Sequence, residues 1–159
     1  MTITEFLEAR IAEDEKVATE ATRGGDGQWW VAGEHEMEEC VVEGDTFKIY
    51  DEGGHDAWQA EHIARHDPAR VLAECAAKRA IIAVITGWAH DYNDYDMWYS
   101  CGLAISLWGD EPGEPGSGCA DESKHGECTC GLERRQMAIF KPLAAVYASH
   151  PDYRQEWAL

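Results

Sequence analysis

Two groups of side chains in this sequence have the types and spacing that metal chemistry requires. The first is Cys119-x5-His125-x2-Cys128-x-Cys130, four soft ligands within 12 residues of otherwise polar chain. Tetrahedral Zn²⁺ takes four Cys or His ligands at about 2.0–2.3 Å. A segment poor in apolar residues gains order from the ion it holds. Four protein ligands close the coordination sphere, so zinc held by Cys119, His125, Cys128 and Cys130 is expected to be structural. Cys101 is the available substitute. The one-residue gap between Cys128 and Cys130 departs from the CxxC pattern, and the alternative is a set of free thiols in a loop.

The second group is His62 and His66, four positions apart and so on one face of a helix that reaches both. With Asp67 or His150 as a third ligand they could hold a catalytic ion, with Glu61, Asp67 or Asp152 as general base. The pattern is not HExxH, because Glu61 precedes His62 and no Glu follows it. The competing reading is that Asp67 caps a helix while the histidines pack or bond locally. No GxSxG elbow, phosphate loop or dinucleotide fingerprint is present. Gly24, Gly25 and Gly27 follow a helical pattern rather than a strand, so they read as a terminator.

These residues need elements to position them. Asp67-Pro68 is a helix start: Asp caps free N–H groups, and Pro at the first helical position gives up one that would be unpaired anyway. The helix can run to Thr86, with Val71, Leu72, Cys75, Ile82 and Ile85 as its apolar stripe and Arg79 intruding. Residues 80–85 are apolar all round, which predicts burial on several sides. At the N-terminus, Thr2 and Glu5 can form a capping box for a helix over 4–22. Ile3, Phe6, Leu7, Ile11, Val17, Ala18 and Ala21 share one face of it, and Arg10 and Asp14 fall inside that face. A buried, unpaired charge is costly, so Arg10 and Asp14 are expected to contact each other or Arg79.

Residues 28–32, 38–43 and 46–50 are short, β-branched or aromatic runs between turn residues, with Gly44-Asp45 suited to a two-residue hairpin loop. They predict a small antiparallel meander, too small to stand without helices against it. A short helix over 56–65 carries Trp58 and His62. An aromatic-rich stretch follows at 88–108. Its Trp and Tyr residues could line a groove, although such residues are more often core. Residues 109–118 form a Pro/Gly loop without regular structure. A last helix over 132–148 contains Pro142, which is expected to kink it. The predicted fold class is α+β: three main helices packed on a small antiparallel β-meander, a cysteine-rich loop before the last helix, and one domain over 1–159.

Composition narrows the function. With 31 acidic against 13 basic residues, the 159-residue chain has a formal net charge of −18. A field of that sign repels phosphate backbones and anionic lipid, which disfavours nucleic-acid or membrane binding. It fits high solubility, a basic protein partner, or imitation of DNA's charge. The first ten residues lack the basic start and apolar core of a signal peptide, and no apolar run approaches the ~20 residues that span a bilayer. A cytoplasmic protein is expected. There, its six cysteines serve as thiols or metal ligands rather than disulfides.

Three segments, ITEFLEARIAEDE at 3–15, HIARHDPARVLAECAAKRAII at 62–82 and YASHPDYRQEW at 147–157, resemble a family of small actinobacterial and actinophage proteins known as a domain of unknown function. The resemblance implies a soluble cytoplasmic protein and no particular activity. Members of that family often carry cysteine pairs before the last helix, which resembles the Cys128–Cys130 region. The expected function is a non-catalytic accessory or regulatory protein, phage-encoded or actinobacterial, acting through protein contacts with a basic partner. The alternatives are a metal-dependent hydrolase using His62 and His66, and a DNA-mimicking inhibitor.

Overall fold

The computed structural model describes residues 1–32, 40–43, 47–51, 57–90 and 131–159. These residues hold both helices and an antiparallel sheet, an α+β arrangement. Four α-helices lie among them: α1 (Ile3–Ala21), α2 (Ala57–Arg65), α3 (Pro68–Thr86) and α4 (Leu132–Ala145). Three strands, β1 (Trp29–Ala32), β2 (Cys40–Glu43) and β3 (Phe47–Asp51), pair antiparallel in the order β1-β2-β3. The Gly44-Asp45 turn, the aromatic stretch beyond His90 and the Pro/Gly loop lie outside the described residues. The chain divides into two compact units, Met1–Ile81 and Ile82–Leu159, with the boundary inside α3.

In the first unit, α1 begins as its sequence requires. The Thr2 hydroxyl accepts from the Glu5 N–H at 3.2 Å, and the Glu5 carboxylate accepts from the Thr2 N–H at 2.7 Å. Phe6, Leu7 and Ile11 are buried on its inner face, while Val17, assigned to that face by periodicity, is 66% exposed. The sheet meets α2 through β1 and β2. A register irregularity between Val41 and Val42 breaks the strand's alternation, and both valines are buried.

Helices α1 and α3 are joined by charge. Arg79 donates to Glu8 at 3.2 Å and also to Glu15, and Lys78 lies 3.9 Å from Asp14. The expected pairing of Arg10 and Asp14 with each other or with Arg79 is therefore corrected. Buried Arg10 instead donates to Glu13, one turn along its own helix, at 2.8 Å, with its guanidinium 5.6 Å from the Phe6 ring centroid. Side-chain length explains the shift. Arg79 reaches past the inner stripe to acids on the flanks of α1.

The end of α3 is corrected too. Ile82 and Ile85 are buried, but Ile81 is 43% and Val84 62% exposed, so that turn is not covered on all sides. In the second unit, Gln136 of α4 donates to the Ile85 and Trp88 carbonyls at 3.0 and 3.4 Å, serving the C-terminus of α3. Helix α4 contains Pro142 and stops at Ala145, short of the expected end at 148. Phe140, Ala144 and Trp157 are buried in this unit, and Lys141 donates to the Ala158 carbonyl at 3.4 Å.

Gly27 is where α1, the sheet and α3 of the first unit meet. Its N–H donates to Glu43 Oε1 at 3.1 Å, and its carbonyl accepts from the Ala69 N–H at 3.1 Å. Its φ is +73°, and a Cβ there would lie 2.9 Å from Thr22 Cγ2 and 3.1 Å from Pro68 Cβ. Gly27→Ala combines left-handed strain with overpacking. It should destabilise the protein by about 2–4 kcal/mol, read as a lower urea midpoint at unchanged m-value. A midpoint equal to wild type would refute this account of the junction.

Candidate functional site

The expected zinc ligands Cys119, His125, Cys128 and Cys130, and the substitute Cys101, lie outside the described residues. Geometry is on hand for the second group, at the corner where α2 gives way to α3. The His66 N–H donates to the His62 carbonyl at 3.1 Å, which continues the helical pattern and holds the two residues one turn apart. Their rings lie 4.6 Å apart between centroids and are tilted by 45°. Both side chains are exposed.

Asp67 acts as cap and joint. Its Oδ1 accepts from the Arg70 N–H at 2.7 Å, the N-cap bond of α3. Its Oδ2 accepts from the Trp29 N–H at 3.3 Å and so fastens the first residue of β1. With each oxygen taken by a backbone donor, Asp67 is held as a structural group rather than offered as ligand or base. His150 has a local role as well. Its Nδ1 accepts from the Asp152 N–H at 3.1 Å, which fixes the turn that follows α4. His90 lies 2.6 Å through Nε2 from Glu133 Oε1 in the same unit as His150. Among the described residues no group of three or more His, Cys, Asp or Glu side chains gathers as a metal cluster.

Beside His66 lies a cavity of about 290 Å³, bordered by Asp14 and Ala18 of α1, Trp29 of β1, and Pro68 and Val71 of α3. Its walls are mainly apolar, and its size is at the lower end for a small-molecule site. Sequence reading missed it. Asp67 helps to hold Trp29 at this corner, and no local spacing reports a bond across 38 positions.

Among the described residues, three titratable groups are displaced from their ordinary ranges. The Arg70 side chain, hydrogen-bonded to Glu74 at 2.8 Å, holds that carboxyl below its usual value, and the charge of Lys78 adds a smaller push in the same direction. Glu133 is lowered first by its backbone N–H at the head of α4 and then by His90. Burial pushes the Cys75 thiol up. Cys75 is a free cysteine, 1% exposed, on the inner face of α3.

A family model described as "Family of unknown function (DUF6221)" matches residues 1–159. No curated protein and no solved structure matches the chain. Among the described residues no helix is long and apolar enough to cross a membrane.

The raised pKa and the burial together make Cys75 a poor nucleophile. Alkylation of the native protein at pH 8 should leave Cys75 unmodified, and addition of denaturant should make it react, as followed by peptide mass spectrometry. Modification of Cys75 at the rate of a free peptide thiol, without denaturant, would show that the inner face of α3 is not packed as described.

Proposed function

The chain belongs to the DUF6221 family, and from that premise we propose that it is a non-catalytic, acidic accessory or regulatory protein that works by protein contact. The family description names no activity, so the reading rests on this chain's surface. The observation that carries it is Trp58, which is 83% exposed in the first turns of α2. A large amphipathic ring left in water is costly, and Trp is among the residues that most often anchor a protein interface once desolvated. Trp30 of β1 is also 43% exposed.

The surroundings of these rings set the partner's chemistry. With a net charge of −18, the chain draws a basic protein surface by long-range attraction, and an apolar pocket on that surface would receive Trp58. A DNA-mimicking inhibitor is the narrower case in which the basic partner is a nucleic-acid-binding protein. The metallohydrolase reading has less support, because Asp67 serves as a cap. The cytoplasm of an actinobacterium or of a phage-infected cell is the setting this reading assumes. It also takes the segment before α4 as a loop ordered by structural zinc at Cys119, His125, Cys128 and Cys130.

Two experiments test the proposal. A photoreactive residue at exposed position 59, beside Trp58, should cross-link one basic protein in the native host. In a complex rebuilt from the two purified chains, Trp58→Ala should weaken binding by at least about tenfold, the loss typical of an interface anchor. Raising salt from low to high should weaken it further. A rebuilt complex indifferent to both changes would defeat the reading. For the metal, elemental analysis of protein purified without chelator should find about one zinc per chain, and Cys128→Ser should abolish it. Metal-free protein with freely reactive Cys119, Cys128 and Cys130 would remove the zinc from the proposal.

A further inference from the structure

We propose that His62 and His66 form a surface site for a divalent transition-metal ion, held by two imidazoles with the remaining coordination positions open. His90 is bound to Glu133 and His150 to the backbone of Asp152. His62 and His66 touch each other, and among the described residues neither ring takes part in a hydrogen bond. Imidazole nitrogens without partners, on rings held side by side, are ligands in waiting for a metal of borderline softness.

The spacing agrees with that use. An imidazole bound at about 2.1 Å through nitrogen has its ring centroid about 3.2 Å from the ion, so two such rings about 90° apart at the metal are separated by about 4.5 Å. The observed separation is 4.6 Å. The helical bond from the His66 N–H to the His62 carbonyl sets it in advance, so little ordering remains to be done on binding. Right angles belong to square-planar and octahedral centres, which favours Ni²⁺ or Cu²⁺ over a closed tetrahedral zinc. Both side chains are exposed, so water or a donor from another molecule can fill the open positions. The acid excess of the chain raises the concentration of divalent cations around it.

Two protein ligands imply reversible binding rather than a permanent cofactor.

Ni²⁺, which is paramagnetic, is the probe. It is added to the isotope-labelled full-length chain as purified, and amide signals are followed by NMR. Signals of residues 61–70 should broaden before any others. His62→Gln and His66→Gln should each weaken Ni²⁺ binding at that place by about tenfold or more, because each removes one arm of a two-point attachment. Both positions are exposed, and unchanged thermal midpoints will show that the variants are folded. If the double variant binds Ni²⁺ as tightly as wild type, or if broadening starts in another segment, the proposal is wrong.

Discussion

Asp67 joins two elements, because its two carboxylate oxygens accept N–H groups from different parts of the chain. One belongs to the third residue of α3 and the other to the first residue of β1. An N-cap bond alone contributes about 1 kcal/mol. The geometric effect is larger. The strand must start where the helix starts, so Gly27 is drawn against Pro68 and Ala69, where a side chain would collide. Glu43 at the end of β2 then reaches back to the Gly27 N–H and ties the second strand to the same point. The His62–His66 pair and the cavity beside His66 both border this corner, so their geometry depends on Asp67 even though its carboxylate belongs to neither.

The second constraint is charge. Basic residues are outnumbered more than two to one, and several of those in the first unit are placed beside acids. Arg79 faces Glu8 and Glu15, Lys78 faces Asp14, Arg70 faces Glu74 and Arg65 faces Glu61. Most of these pairs are well exposed, and pairs of that kind contribute about 0–1 kcal/mol each. Their effect is to relieve repulsion between acidic helices rather than to drive folding. Arg10 differs, being buried, and its guanidinium pairs with Glu13 on its own helix. The acids that remain unpaired give the surface its sign.

What could be read in advance follows from the range of each interaction. The Thr2–Glu5 box and the Asp67-Pro68 start were legible because cap, donor and helix lie within four residues. The meander was legible because alternation and turn residues report strands locally. Gly27 read as a terminator, whereas its structural role depends on Glu43, Pro68 and Ala69, which no pattern near residue 27 reveals. Periodicity also identified apolar faces correctly at Ile11 and Cys75 but misjudged Val17, Ile81 and Val84. It states which side of a helix is oily and nothing about whether a neighbour lies there. The i, i+4 spacing of His62 and His66 was visible in the sequence. The closeness of their rings, and the absence of hydrogen bonds to them among the described residues, were not.

The distance in sequence between α1 and its countercharges has a consequence for synthesis. Glu15 and Glu8 are separated from Arg79 by 64 and 71 positions. At about 5–20 residues per second, Arg79 is added about 3–14 s after the α1 acids it pairs with. Throughout that interval Glu8 and Glu15 have no Arg79 to pair with. The helix carries its own means of waiting. The capping box, the Arg10–Glu13 pair and the Lys16–Glu20 pair all lie within α1 or at its first turn. Its acidic flank also keeps neighbouring nascent chains apart while the inner face is bare. The N-terminal helix is thus built to remain soluble as a fragment first and to become part of a core afterwards.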